Sequence, residues 1–280
     1  MKTTTKTFLQ SKLENKKLSM LTAYDYTTAK LIDGAGVDAI LVGDSLGMVM
    51  LGYENTLSVT LEDMIYHTKA VKRGVERALI VADMPFMSYH ISVGESIKNA
   101  GRLLKEGGAE AVKIEGGKDF IPQIEGIIKA GIPVMGHLGL TPQSIHKLGG
   151  YKVQGKRIEG AKRLLEDAYA LQESGVFSIV LECVPHILSE HIAKNLDIPV
   201  IGIGAGGGVD GQVLVYADVF GMYENVRPKF VKQYVDIGAK MKETVKKYIE
   251  EVQLGTFPEE VHSYKMDEGI LEELIREYIK

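Results

Sequence analysis

The stretch from Ala39 to Thr60, AILVGDSLGMVMLGYENTLSVT, decides the fold. Its first four residues are all apolar and lead directly into Gly43-Asp44-Ser45. An unbroken apolar run before a turn is typical of a strand buried on both faces. When such a strand ends in an acid and a hydroxyl, it predicts chemistry at the carboxyl edge of a parallel sheet. For this junction alone, the alternative is that Asp44 or Ser45 only caps the next helix.

Eight short apolar runs have the character of buried strands, and helical spacing fills most of the intervals between them. We predict strands near Ser19–Thr22, Ala39–Val42, Leu79–Ala82, Ala111–Ile114, Val134–Gly136, Ile179–Leu181, Val200–Ile203 and Asp218–Gly221. Such alternation predicts parallel strands with crossover helices, and eight of these units close into a barrel. We therefore expect an α/β fold, a (β/α)8 TIM barrel, as a single domain over residues 1–280 with C-terminal helices.

The glycine-rich segment Gly202–Gly207 fits the spacing of a dinucleotide-binding loop, which would favour an open, doubly wound sheet. The match is weak because the segment follows the seventh predicted strand rather than the first. Two other interpretations stay open. The loop can bind an anionic group, with Asp210 capping a helix that begins near Gly211, or it can be a tight turn that needs glycine.

The composition excludes several classes of protein. A hydrophobic content of 45% and a charged content of 25% are typical of an ordinary globular chain. The net charge of −4, without a long Lys/Arg block, argues against nucleic-acid and membrane partners. No apolar run approaches the roughly 20 residues that span a bilayer. The single cysteine, Cys183, and an N-terminus without the apolar core of a secretory signal predict a cytoplasmic location.

Polar residues stand at the ends of five predicted strands. They are Asp44 with Ser45, Asp83, Lys113 with Glu115, His137, and Glu182. Because the carboxyl ends of barrel strands converge on one mouth, residues that are distant in sequence can share a pocket there. Each residue alone has an ordinary explanation as a cap, an ion pair or a core histidine, but the set favours a functional site. The long connections Leu46–Thr60 and Leu140–Gly160 are expected to wall or cover it.

The residue types at these strand ends suggest one kind of chemistry. Two aspartates and a glutamate form an oxygen ligand set that suits Mg²⁺, whereas one histidine and one cysteine do not supply the usual zinc ligands. A bound cation would polarise the ketone of a 2-oxo acid, and Lys113 would neutralise negative charge. Glu182 is then available as a general base for the carbon beside the ketone.

Several long motifs closely resemble the ketopantoate hydroxymethyltransferase family. The similarity extends from about Phe8 to the region of Phe257-Pro258, and the last twenty or so residues match weakly. The motifs are MLTAYDYTTAKLID, ILVGDSLGMVMLGYENTLSVTLEDMIYHTKAV, VKIEGG, GHLGLTPQS, GGYKVQGK, LECVP and IGIGAGGGVDGQVLV.

The resemblance implies a barrel of the phosphoenolpyruvate/pyruvate type that acts in pantothenate biosynthesis. It implies transfer of a hydroxymethyl group from the co-substrate 5,10-methylenetetrahydrofolate to 3-methyl-2-oxobutanoate, forming 2-dehydropantoate through a Mg-stabilised enolate. It further implies a homo-oligomer, often a decamer. Carried over by position, it gives Mg²⁺ ligands (Asp44, Asp83, Glu115), substrate contacts (Asp44, Ser45, Asp83, Lys113, His137) and a proton acceptor (Glu182).

Two other functions remain possible at this stage. A carbon-carbon lyase related to isocitrate lyase would keep the same enolate site but would need no folate. A non-catalytic barrel would only bind a 2-oxo acid, and turnover by the purified protein would exclude it.

Overall fold

The structure is a computed structural model that describes residues 2–223 and 228–278. Eight parallel strands form a closed barrel in chain order, and the first strand pairs with the last. This arrangement confirms the predicted barrel and rules out the open sheet. The strands are β1 Leu18–Thr22, β2 Ala39–Val42, β3 Leu79–Asp83, β4 Ala111–Glu115, β5 Val134–Gly139, β6 Ser178–Glu182, β7 Val200–Ile203 and β8 Gly211–Leu214.

Helices follow most of the strands, as the spacing predicts. One helix precedes β1, and the others lie between the strands or directly after β8. They are α1 Thr5–Leu13, α2 Tyr26–Gly34, α3 Leu46–Val49, α4 Leu61–Gly74, α5 Val93–Arg102, α6 Ile121–Lys129, α7 Ile145–Leu148, α8 Ile158–Glu173, α9 His186–Asn195 and α10 Tyr216–Phe220. Later in the chain come α11 Ile237–Leu254 and α12 Glu268–Tyr278. Among the described residues, no helix combines the length and the apolar character needed to cross a membrane.

The predicted eighth strand at Asp218–Gly221 is wrong. The eighth strand is Gly211–Leu214, and Tyr216–Phe220 is α10. The short sequence GQVL alternates between buried and more exposed positions and contains only two apolar side chains, so it lacks the apolar run by which most of the other strands are recognised. Gly211 itself is needed there, because a Cβ atom would lie 2.6 Å from both Leu18 O and Ile201 Cδ1.

The helix cap suggested for Asp210 is also wrong, because a strand begins at the next residue. The Asp210 carboxylate instead accepts a hydrogen bond from the backbone N–H of Val200 at 2.8 Å and pairs with Lys12 Nζ at 2.7 Å. Lys12 also donates to the carbonyl of Ala193 at 2.7 Å. These contacts hold α1 against the start of β8.

The N-terminal helix α1 closes the end of the barrel opposite the strands' carboxyl ends. Its Phe8 side chain is fully buried and packs with the first residues of several strands, including Leu18, Ala39 and Leu79. The Phe8 ring meets Phe177 edge to face, with centroids 5.7 Å apart. The interior at this end is therefore a packed apolar core, and polar chemistry is confined to the other end.

Contacts within the chain divide the described residues into two compact units. The first contains residues 2–219 and 228–233 and includes the barrel; the second contains residues 220–223 and 234–278. In the second unit, α11 and α12 have no buried residue. A single domain over the whole chain stays a prediction, and its residues 1, 224–227 and 279–280 lie outside the described residues.

Candidate active site

The barrel brings the predicted polar residues together at the carboxyl ends of β2 to β6. Lys113 and Glu115 are two positions apart on β4, so their side chains lie on the same face of that strand. In the sheet register, Asp83 is opposite Lys113, and Glu115 is opposite His137. Glu182 ends β6 opposite Gly139 of β5.

Asp44 enters the site through a close turn after β2. Its backbone N–H donates to Asp83 Oδ2 at 3.1 Å. A Cβ atom at Gly43 would lie 3.4 Å from the same oxygen and 2.8 Å from Ser45 Oγ, so the absence of a side chain allows the turn to approach β3. Ser45 Oγ lies 2.8 Å from the hydroxyl oxygen of Tyr24.

A continuous row of ionisable groups crosses the mouth. Lys113 Nζ lies 3.1 Å from Asp83 Oδ1 and 3.2 Å from His137 Nδ1. His137 Nδ1 is 3.4 Å from Glu115 Oε1, and its Nε2 is 3.3 Å from Glu182 Oε2. All of these residues are buried except Glu182, whose side chain is 15% exposed. Glu182 is thus the member of the row that faces the opening.

Burial and mutual repulsion disturb the ionisation of the two aspartates. The pKa of Asp44 lies well above its usual range, first because burial disfavours the charged form and then because Asp83 and Glu115 repel it. Burial likewise raises the pKa of Asp83, although Lys113 opposes this effect. In the absence of a cation, the protonated forms of these two carboxyl groups are therefore favoured more than in water.

For the basic members of the row, the neighbouring carboxylates outweigh the effect of burial. Burial opposes protonation of Lys113, but the charges of Asp83, Glu115 and Asp44 outweigh it and raise the lysine pKa. Burial and the Lys113 charge oppose protonation of His137, yet its contacts with Glu115 and Glu182 raise its pKa to about 8. The pKa of Glu115 is lowered despite its burial, because His137 and Lys113 stabilise the carboxylate.

The donor set fits a divalent cation held partly by water. Asp83 Oδ1 is buried and makes no aligned hydrogen bond, even though Lys113 Nζ is within ion-pair distance. Within residues 2–223 and 228–278, no three His, Cys, Asp or Glu side chains converge into a ready-made metal site. Mg²⁺ commonly takes one or two protein carboxylates and keeps several waters, and Asp44, Asp83 and Glu115 are the carboxyl groups at the mouth that could hold it in this way.

Three further residues of the site were not predicted from the sequence. Gln143 Nε2 donates to Asp44 Oδ2 at 2.8 Å and to the carbonyl of Met84 at 3.0 Å, and its backbone N–H donates to Glu115 Oε2 at 3.0 Å. Tyr89 Oη donates to Gln143 Oε1 at 2.8 Å. Tyr24 contacts Ser45, as described above. Gln143 and Tyr89 lie in connections beyond the strands, where apolar patterning gives no signal; Tyr24 lies two residues after β1.

The two long connections meet above the mouth. Tyr151, from the connection between α7 and α8, donates its hydroxyl hydrogen to Met48 Sδ at 3.6 Å. The pKa of Tyr151 is raised by partial burial and by the nearby charges of Glu182 and Asp44. This side chain therefore lies close to the site, as expected for a wall of the pocket.

Comparison with known proteins agrees with the motifs. The family model described as ketopantoate hydroxymethyltransferase matches residues 2–260. A 3-methyl-2-oxobutanoate hydroxymethyltransferase from Clostridium novyi (strain NT) is 61% identical over 274 residues, which cover 98% of this chain and 100% of the relative.

Solved structures with low sequence identity have the same fold. A phosphonopyruvate hydrolase in complex with oxalate and Mg²⁺ matches with a TM-score of 0.60 and 12% identity, covering 99% of this chain and 100% of that chain. A 2,3-dimethylmalate lyase of the PEP mutase/isocitrate lyase superfamily matches with a TM-score of 0.60 and 14% identity, covering 90% and 89%. At such identities the likeness establishes the barrel type alone.

Proposed function

The chain belongs to the ketopantoate hydroxymethyltransferase family, and on that premise we propose that it is a transferase that forms 2-dehydropantoate from 3-methyl-2-oxobutanoate. We further propose that 5,10-methylenetetrahydrofolate supplies the one-carbon unit and that the reaction passes through an enolate. The observation that carries this proposal is the row from Asp83 through Lys113 and His137 to Glu182, in which contacts of 3.1–3.3 Å link a buried cation to a carboxylate at the opening.

We propose that Asp44 and Asp83 bind Mg²⁺ and that Glu115 completes its surroundings through water. The burial of three carboxyl groups, Asp44, Asp83 and Glu115, at one end of the barrel supports this assignment. When bound, Mg²⁺ supplies a Lewis acid that polarises the ketone of the 2-oxo acid. Gln143 orients Asp44 by donating to its Oδ2 atom.

The residues around the cation site bind and orient the 2-oxo acid. Lys113 carries a stable positive charge, and its ammonium group neutralises the substrate carboxylate or the negative charge that develops on the ketone oxygen. Ser45 Oγ contributes a hydroxyl contact, and Tyr24 fixes its direction. His137 is the remaining proposed substrate contact, and its Nε2 atom lies 3.3 Å from Glu182 Oε2 without an aligned hydrogen bond.

Glu182 is the proposed general base. Its partly exposed carboxylate takes the proton from C3 of 3-methyl-2-oxobutanoate, and the C3–H electron pair enters the enolate. Water cleaves the two C–N bonds that hold the one-carbon unit: its two hydrogens pass to the folate nitrogens, and its oxygen stays on the carbon as a carbonyl. The enolate carbon C3 adds to this carbonyl carbon, and the proton that Glu182 took from C3 passes to the resulting alkoxide, which becomes the new hydroxyl group. His137 lies 3.3 Å from the Glu182 carboxylate and holds it toward the opening.

We also propose that the protein acts in the cytoplasm as a homo-oligomer, a decamer by family resemblance. The exposed apolar residues of α11 and α12, such as Val245, Tyr248 and Leu274, support association. Light scattering coupled to size-exclusion chromatography measures the subunit number directly, and a monomeric mass would contradict the proposal.

The test of the activity is proton exchange at C3 of 3-methyl-2-oxobutanoate in deuterated water, followed by NMR. Exchange should require Mg²⁺ and stop when the cation is chelated. Adding methylenetetrahydrofolate should then produce a hydroxymethyl product. Exchange without a folate-dependent product would point to a different electrophile or to a lyase, whereas no exchange and no turnover would indicate a barrel that only binds the acid.

Replacing Glu182 with glutamine tests the base. Glu182→Gln should slow C3 exchange about 10²- to 10⁴-fold, the usual contribution of general base catalysis, while Mg²⁺-dependent binding of the substrate persists. Glu190→Gln is a matched control, because Glu190 lies on the outside of α9 in an exposed ion pair with Lys194. Unchanged exchange in Glu182→Gln would overturn the assigned role.

A further inference from the structure

A second concave site lies beside the barrel mouth, in the connection between α7 and α8. Its cavity has a volume of about 680 Å³ and is separate from the row of buried groups. The residues that line it are Lys152, Val153, Gly155, Lys156, Arg157, Glu159 and Gly160. Three cations thus face a single carboxylate, which gives the cavity a positive charge.

None of the three cations has an ion-pair partner among the described residues. In the part of the chain that the structure describes, no carboxylate oxygen lies within 4.0 Å of the charged nitrogens of Lys152, Lys156 or Arg157. One turn further along α8, by contrast, Arg163 pairs with Asp119 at 3.2 Å and lies 3.6 Å from Asp167. The positive charge of the cavity is therefore available to an anion.

The lining segment is held beside the active site at two points. The backbone N–H of Gln154 donates to the carbonyl of Cys183 at 2.9 Å, and Cys183 directly follows Glu182. Tyr151, which precedes Lys152, donates its hydroxyl hydrogen to Sδ of Met48, in the connection that follows β2, at 3.6 Å. Lys152, Lys156 and Arg157 are therefore only a few residues away in sequence from positions that lie beside the proposed reacting groups.

The floor of the cavity is firmly packed. Gly155 has a φ of +76°, and a Cβ atom there would lie 2.7 Å from Leu164 Cδ1 and 2.9 Å from Leu188 Cδ2. Glycine thus lets the segment lie directly on α8 and α9. This close packing anchors the residue next to Lys156 and Arg157 against two helices.

We propose that this cavity binds the glutamate carboxylates of the folate co-substrate. This inference rests on the proposed function, in which an elongated donor must bring its pteridine end to C3 of the keto acid. The carboxylates at its other end must then lie outside the mouth, where Lys152, Lys156 and Arg157 supply unpaired positive charge. The carboxylate of the keto acid does not need this cavity, because Lys113 lies beside the reacting groups.

The experiment compares steady-state kinetics with mono- and triglutamyl methylenetetrahydrofolate. The test protein is the triple variant Lys152→Gln, Lys156→Gln, Arg157→Gln, and the control is Lys98→Gln, Lys105→Gln, Lys129→Gln, which removes exposed cations elsewhere on the barrel. Exposed ion pairs change binding by about 1.5- to 5-fold each. The test variant should therefore raise the KM for the triglutamyl donor about tenfold, and the control should change it less than twofold.

Two further readouts separate the outcomes. C3 exchange of 3-methyl-2-oxobutanoate, which needs no folate, should be equal in the test and control variants. The probe p-aminobenzoyl triglutamate, which lacks the pteridine, should compete with the donor in the unmodified enzyme and about tenfold less well in the test variant. An unchanged donor KM in a test variant that still exchanges would overturn the inference. Absence of any folate-dependent product in the unmodified enzyme would instead overturn the proposed function.

Discussion

Replacing Gln143 with leucine should destabilise the protein by about 3–5 kcal/mol. The substitution keeps a similar size but removes three side-chain hydrogen bonds, to Asp44 Oδ2, to the carbonyl of Met84 and from Tyr89 Oη. A hydrogen bond to a charged group contributes about 1.5–3 kcal/mol and a neutral one about 1 kcal/mol. Because Gln143 is only 5% exposed, water cannot readily replace these partners.

The assay is urea unfolding followed by circular dichroism in the presence of a chelator, with Gln172→Leu as the control. Gln172 accepts one exposed hydrogen bond from the backbone N–H of Asp197, so its loss should cost about 1 kcal/mol or less. Magnesium affinity, measured by calorimetry, should fall about 10- to 100-fold in Gln143→Leu, as is common when a residue that orients a metal ligand is removed. A stability loss below about 1 kcal/mol together with unchanged magnesium affinity would refute the reasoning.

Two further predictions concern the barrel away from the site. Phe8→Ala should lower the free energy of unfolding by about 3–5 kcal/mol, because it empties a fully buried position against Phe177; an equal loss in the exposed control Leu13→Ala would contradict this. Burial opposes ionisation of Asp33, but the backbone N–H groups of residues 76–78 outweigh it and lower its pKa. The Asp33 carboxylate therefore stabilises the folded protein fully above about pH 4, and this stabilisation is lost as the pH falls below that value. In urea unfolding across pH 3–6, Asp33→Asn should flatten the acid side of the stability curve, and an unchanged slope would contradict the assignment.

The sequence predicted seven of the eight strands, most of them because they are buried runs of continuous apolar character. The burial of β1 alternates, but three of its five residues are still large and apolar. β8 was missed because its four residues alternate between buried and more exposed positions and begin at a glycine. The apolar residues near Asp218 were mistaken for it, although they pack as the short helix α10. The closed barrel thus needs β8 as its eighth strand, although the sequence of β8 has almost no hydrophobic pattern that would predict a strand.

The site residues also divide into those that a local sequence pattern predicts and those that it does not. Asp83, Lys113 and His137 stand at positions fixed by strand register, so a barrel prediction was sufficient to bring them together. Gln143 reaches Asp44 from a turn of 3-10 helix ninety-nine positions away in sequence. The path of a connection depends on its packing against the finished barrel, and local sequence does not specify it.

The contacts of α1 have a consequence for how the chain is made. Lys12 is bound by Ala193 and Asp210, and β1 finds its second neighbour only in β8. During synthesis on the ribosome, α1 and β1 therefore cannot make these contacts until the chain has been extended to Leu214. Phe8 and the inner faces of the early strands remain accessible for that interval, and pairing across so many residues is slow. Closure is therefore an event that follows translation of the barrel, which makes the half-made chain a natural client for chaperones.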